Sequence, residues 1–191
     1  MLLTSSNIES CLEPLAALRL EIFREYPYLY EGLREDELCY LKSYVAAPDA
    51  CVILSQESGT IEGAVTGMPL IHEDAQMLSA FTENSLDVEG FYYVGELLLY
   101  QAFRNRGLGS KLLGQMEAHI RSLGKYCKLT CATLERPDDN PARPLESTPI
   151  TRFLAHSCFV MLPGVTTQFP WRETDGVKRE HLMQFWVKEL S

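Results

Sequence analysis

Apolar residues recur at helical spacing twice near the start of the chain. Between Cys11 and Tyr26, Leu15, Leu18 and Ile22 share one face, which predicts a helix; from Glu35 to Ala46, Leu38, Leu41 and Val45 repeat the pattern. Acidic residues open the second stretch and Pro48 follows it, as start and stop marks should. The rhythm then changes. "CVILSQESGTIEGAVTGMPL" places β-branched and apolar residues on both sides of Ser58-Gly59 and predicts a hairpin of two strands. Residues 71–90 carry acids, Asn84 and Ser85, and predict a loop with one helical turn from Met77 to Phe81. "FYYVGELLLYQ" is aromatic, β-branched and long, the strongest strand signal in the chain. From Gly107 to Leu123 an apolar stripe of Leu108, Leu112, Met116, Ile120 and Leu123 predicts an amphipathic helix, with Gly124 closing it.

"YCKLTCATL" then predicts a strand, and "ERPDDNPARPLESTP" a loop long enough to suggest a role of its own. A short helix over Ile150 to Ser157, a strand over Phe159 to Leu162 and a last strand over His181 to Leu190 complete the series. The order is α-α-β-β-β-α-β-α-β-β, with room for a short leading strand. Nothing marks a boundary, so residues 1–191 are expected to form one mixed α/β domain.

At 46% hydrophobic residues, 191 residues bury enough apolar surface to fold without staples. A net charge of -9 argues against nucleic acid as a partner, which demands a basic face, and is compatible with a cationic acceptor. The six cysteines form no C-x-x-C, and His72, His119, His156 and His181 are scattered, so no metal site is expected. The N-terminus lacks a basic region followed by an apolar core, and the longest apolar runs are too short for a bilayer. The expectation is a cytoplasmic protein with no membrane partner.

The most specific chemistry lies in "YQAFRNRGLGSKLL", Tyr100 to Leu113. A strand entering a helix through Gly107-x-Gly109 lets successive backbone N–H groups face one anion, aided by the helix's positive end. Arg104 and Arg106 add charge that a neutral ligand would not require. The alternative is a tight turn flanked by solvated arginines. A dinucleotide fingerprint would need a third glycine where Leu112 stands, and no P-loop pattern is present.

Arg104-Asn105-Arg106-Gly107-Leu108-Gly109 resembles the Arg/Gln-x-x-Gly-x-Gly/Ala signature of the GNAT superfamily of acetyl-coenzyme A-dependent N-acetyltransferases. The preceding "ELLLYQAF" is similar to that family's strand segment, and the order of elements matches along nearly the whole chain. With "RP", the proline-rich loop and "MQFW", it is similar to a bacterial subgroup. The resemblance implies an α+β fold: a mixed, mostly antiparallel sheet flanked by helices and splayed between its fourth and fifth strands. It implies that backbone N–H groups from Arg104 through Asn105, Arg106, Gly107 and Leu108 to Gly109 hold the pyrophosphate of acetyl-CoA, with Ser110 capping the helix. It further implies that pantetheine lies in the wedge between the strand near Leu97 to Leu99 and that at Lys128 to Thr133. A backbone N–H near Leu98 or Leu99 would steady the oxyanion.

An amine attacks a thioester only when neutral, yet a lysine-like amine has a pKa of roughly 10.4, so a proton acceptor is needed. Glu96, the lone acid in "YVGELLLY", is the candidate; strand alternation alone would equally allow a solvent-facing glutamate. Two departures from the family pattern stand out. Leu154 occupies the place of a tyrosine that protonates the leaving thiolate, leaving His156, Ser157, Tyr126 or water as substitutes. Ser147 stands where an asparagine often contacts pantetheine. The tyrosines of "REYPYLY" and "LCYLKSY" (Tyr26, Tyr28, Tyr30, Tyr40) fall where this fold borders its acceptor. The acceptor itself, a small-molecule or peptide amine, is left open, as is a homodimer through the last strand. A non-catalytic coenzyme A-binding module, acting as a sensor, is the rival to the enzyme.

Overall fold

The computed structural model describes residues 1–4, 7–137, 139–145 and 148–190. Its elements are β1 (Leu2–Thr4), α1 (Leu12–Phe23), α2 (Arg34–Ala46), β2 (Cys51–Glu57), β3 (Thr60–Pro69), α3 (Ala75–Thr82), β4 (Phe91–Leu99), α4 (Leu108–Leu123), β5 (Lys128–Leu134), α5 (Ile150–His156), β6 (Val160–Arg172) and β7 (Lys178–Glu189). The strands form one sheet in the order β1-β2-β3-β4-β5-β7-β6; the β4–β5 pair is parallel and the rest are antiparallel.

The predicted elements are present, with their ends moved by a few residues. The hairpin turn falls on Ser58 and Gly59, both at positive φ (49° and 83°), the backbone that a two-residue turn between twisted strands requires. The helical turn at Met77 is the centre of α3, which Asp74 caps by accepting a hydrogen bond from the Met77 N–H at 2.8 Å. The largest difference is β6, expected to end at Leu162 and found to run to Arg172. Pro163, Gly164 and Pro170 look like strand breakers in sequence. At the sheet edge, however, β6 needs no partner on its outer side, and a register shift between Met161 and Thr166 absorbs the first pair.

Two faces of the sheet are covered. Leu15, Leu18, Leu41 and Tyr44 of α1 and α2 pack with Ala64 and Leu98 on one side, and Leu112, Met116 and Ile120 of α4 pack with Tyr92, Val94 and Leu129 on the other. Phe81 of α3 makes edge-on contacts with Phe91 and Phe185, closing a third cluster where the sheet turns toward β7.

One irregularity decides where the chemistry sits. Strand β4 is bulged: Gly67 pairs with Val94 and Thr66 with Glu96, leaving Gly95 extra. Before the bulge Tyr92 and Val94 face α4; after it Leu97 and Leu99 pack there, and Leu98 faces α1 and α2. The change of parity carries Glu96 off the α4 face, where regular alternation would have set it among apolar residues. A side chain at Gly95 would stand 2.0 Å from the Tyr44 hydroxyl, so this position accepts no Cβ.

Candidate active site

Strands β4 and β5 pair only at Phe91–Lys128, Tyr92–Leu129 and Tyr93–Thr130, then part. Past that point β4 continues along β3 and β5 along β7, which opens the expected wedge. The Tyr100 N–H donates to the Glu62 carbonyl at 3.2 Å. Alternation then turns Leu98 toward β3 as well, and the amide groups of Leu97 and Leu99 toward the wedge. Of the two leucines expected to offer backbone, Leu99 faces the gap, with Leu97 in place of Leu98.

The glycine turn lies at the end of this edge. Asn105 (φ 59°) and Gly107 (φ 79°) take left-handed backbone, and Gly107 is the N-cap of α4. The cap is therefore not Ser110, which sits in the first helical turn; no side chain caps this helix, because the left-handed turn at Gly107 makes the entry by itself. Among the described residues, the N–H groups of Asn105 through Ser110 meet no protein acceptor, a row of donors at the positive end of a sixteen-residue helix. Arg104 is differently placed. Its N–H donates to the Gln101 carbonyl (3.2 Å), its Nε to the Leu99 carbonyl (2.8 Å) and its Nη1 to Glu25 (2.6 Å), so it holds the turn rather than adding to the open row. A Cβ on Gly109 would lie 3.5 Å or more from Leu99, Leu97 and Phe153, an ordinary contact. The protein itself therefore does not require glycine there.

On the other face, a cavity of about 330 Å³ lies over the bulge. Its floor is Gly95 and Glu96, and its walls come from α1, α2, the α1–α2 loop, the segment before α3, and β6. Glu96 is 7% exposed. One carboxylate oxygen accepts from Arg19 Nη1 and the other from the Thr66 hydroxyl, and its own N–H donates to that hydroxyl at 3.1 Å. Arg19 also donates through Nε to Glu37. Burial alone would lower the Arg19 guanidinium, but Glu96, Tyr40 and Glu37 more than reverse this, and its pKa is raised. Its guanidinium lies 4.4 Å from the Tyr40 ring centre and 4.9 Å from that of Phe23.

Across the cavity stands Glu73, whose Oε1 is buried with no hydrogen-bond partner among the described residues. Burial first, then Glu96 and Asp74, pushes its carboxyl up to about 8. Tyr28, Tyr30 and Tyr40 line the cavity as expected, while Tyr26 does not. Trp171 also lines it, donates from Nε1 to the Tyr28 carbonyl at 3.1 Å and stacks on His181 at 3.6 Å.

A family model for the Acetyltransferase (GNAT) family matches residues 15–145. The chain belongs to that family. Solved structures with the same fold include yncA from Salmonella typhimurium with its cofactor acetyl-CoA, 15% identical over 100% of this chain and 94% of that one, with a TM-score of 0.56. Ribosomal-protein-alanine N-acetyltransferase from Brucella melitensis is 13% identical over 100% and 99% (TM-score 0.60), and the loading GNATL domain of CurA from Lyngbya majuscula 15% over 100% and 97% (TM-score 0.59). At these identities the likeness is one of fold. No curated protein sequence matches the chain. As a GNAT acetyltransferase the protein uses acetyl-CoA, and the structure has both expected features, a splayed β4–β5 pair and an open row of N–H groups.

The substitutes for the missing tyrosine fare unequally in this acetyltransferase. Leu154 is buried in the α4 core. The Tyr126 hydroxyl donates to Asp49 at 2.8 Å, next to Tyr92 and so beside the paired end of β4, away from the wedge. His156 is exposed, with Nδ1 2.7 Å from the Arg152 carbonyl. Ser147 lies outside the described residues. Sequence reasoning missed Arg19, Glu37, Thr66 and Glu73. Arg19 left one signal: it is a charge four residues after Leu15, on the apolar face of α1. Glu73 left none, since its isolation comes from the surrounding fold.

Proposed function

We propose that the protein moves the acetyl group of acetyl-CoA to a primary amine, which attacks directly while both substrates are bound, with Glu96 as general base. The observation that carries this is the position of Glu96: a buried carboxylate on the floor of an aromatic, acidic cavity, on the strand whose other edge opens as the wedge. That the sheet draws strands from Leu2 to Glu189 supports reading residues 1–191 as one domain.

Acetyl-CoA, when bound, supplies the acetyl group and a thiolate leaving group. Asn105 to Ser110 hold its pyrophosphate through backbone N–H groups, Arg106 adds charge, Leu97 and Leu99 offer the peptide-like edge of β4, and Arg104 braces the turn. Glu96 retains free lone pairs beyond those taken by Arg19 and Thr66, and through them it accepts the proton released as the amine attacks. No acid is required at Leu154, because a thiol with a pKa near 8.5 leaves readily as its thiolate. A cavity of about 330 Å³ is at the small end of ligand sites and favours a small-molecule acceptor over a peptide. Its carboxylates and rings favour one that arrives as a cation.

Glu96→Gln keeps the shape of the side chain and removes its charge. Turnover of a primary amine should fall at least about tenfold, with acetyl-CoA affinity by calorimetry unchanged. An unaltered rate would take Glu96 out of the mechanism.

A further inference from the structure

We propose that Glu73 is a second proton acceptor of this active site, which receives the first proton of the incoming ammonium so that Glu96 can receive the second. The proposal rests on the amine-acetyltransferase assignment above and adds to it a residue outside the signature strand. Proton accounting motivates it. An ammonium R–NH3⁺ and acetyl-CoA become R–NH–CO–CH3, CoA–SH and H⁺: an N–C bond forms, the C–S bond breaks with its electrons going to sulfur, and nitrogen gives up two protons. One ends on the thiol and the other leaves for solvent. One of the two must depart before nitrogen has a lone pair with which to attack.

Glu96 cannot hold both, because a carboxylate takes one proton, and its remaining oxygen sites are shared with Arg19 and Thr66. Glu73 faces the same cavity from the turn between β3 and α3, held there by its N–H bond to the Leu70 carbonyl at 3.0 Å. Its Oε1 is buried without a partner among the described residues. Such an atom costs stability in the resting protein and is satisfied when a donor enters the cavity.

The charged neighbours of Glu73 are Asp74 beside it, Glu96 across the cavity and Arg19 from α1. Tyr40 and Tyr44 from α2 and Tyr93 from β4 also feel its charge, and Glu37 lines the same space. From β6 and β7 only Phe169, Trp171 and Met183 face in, none of them charged. Burial and the two acids outweigh the backbone N–H bond from Asp74 and the charge of Arg19, and hold the carboxyl at about 8. An amine near 10.4 then exceeds its acceptor by about 2, where an ordinary glutamate would leave about 6.

The test compares wild type, Glu73→Gln and Glu96→Gln with two acceptors, phenethylamine, which is cationic at pH 7, and hydroxylamine, which is already neutral. In Glu73→Gln the ratio of phenethylamine to hydroxylamine turnover at pH 7 should fall at least about tenfold. The wild-type kcat/KM for phenethylamine should level off above about pH 8, while that of the variant climbs on toward the pKa of the amine. A second readout needs no substrate. Glu73 binds its proton more tightly folded than unfolded, so wild type loses stability as pH rises from about 4.3 to 8, and Glu73→Gln lacks that slope. Superimposable melting curves across that range, or an unchanged acceptor ratio and pH profile, overturn the role of Glu73. If wild type acetylates neither amine, the amine-acetyltransferase assignment fails and this inference falls with it. An inactive Glu96→Gln beside a wild-type-like Glu73→Gln sinks the inference alone.

Discussion

Gly109 separates what the fold needs from what the ligand needs. Its neighbour Gly107 is fixed by backbone: at φ 79° an alanine costs roughly 1 kcal/mol. Gly109 lies inside α4, and an added methyl would touch Leu99 Cδ1 at 3.5 Å and Leu97 Cδ2 and Phe153 Cε2 at 3.7 Å, without a clash. Alanine also favours a helix over glycine by up to about 1 kcal/mol. Gly109→Ala should therefore melt at or above the wild-type temperature. The signature admits alanine at this position, so acetyl-CoA affinity should stay within a few-fold of wild type, whereas Gly109→Glu sets a carboxylate beside the row of free N–H groups and should weaken it at least about tenfold. Calorimetry and a melting curve on one preparation check both halves. Normal binding by a folded Gly109→Glu protein would mean that the coenzyme does not approach this turn.

At the scale of elements, the cavity over the bulge depends on a loop that the far end of the sheet holds in place. Residues 24–33 join α1 to α2 and carry Tyr28 and Tyr30. Arg136, just beyond β5, donates to the carbonyls of Pro27 (2.8 Å) and Tyr28 (3.0 Å), and lies 2.6 Å from Glu173, with both side chains below 10% exposure. Arg136→Gln should cost about 1–3 kcal/mol, since Arg179 still meets Glu173, and should raise the acceptor KM several-fold with acetyl-CoA affinity intact. Equal loss at both sites would make Arg136 a general stabiliser instead. None of this strut was legible in the sequence, because its bonds join backbone carbonyls more than 100 residues away. Local features were legible: Ser58-Gly59 for the hairpin, the stripe of α4, and the glycine turn, each decided within a few residues. Strand β6 was read short because proline at a sheet edge cannot be told from proline after a strand. The orientation of Glu96 was hidden for a related reason. It depends on the bulge at Gly95, and without that shift alternation gives the opposite face.

For the molecule as a whole, the important fact is how little joins the two halves of the sheet. Strands β1 to β4 meet β5 to β7 through only three parallel pairs, at Phe91, Tyr92 and Tyr93, and the rest of the boundary is the wedge. Helix α4 packs beneath it, and its N-terminus opens at the same end. If the proposed site holds, a coenzyme laid along Leu97 and Leu99 with its pyrophosphate on Asn105 to Ser110 would bridge the two strands where they part, and would bind the folded state alone. At a hundredfold excess over Kd it should add about 2.7 kcal/mol, roughly 5–10 °C in melting temperature for a chain of this size. Glu96→Gln should keep that gain and Gly109→Glu should lose it. Amide exchange read in the same samples locates the effect, because protection must rise at Leu97, Leu99 and the turn before α4, where N–H groups now lack partners. A rise in melting temperature without added protection there would put the coenzyme somewhere other than the wedge.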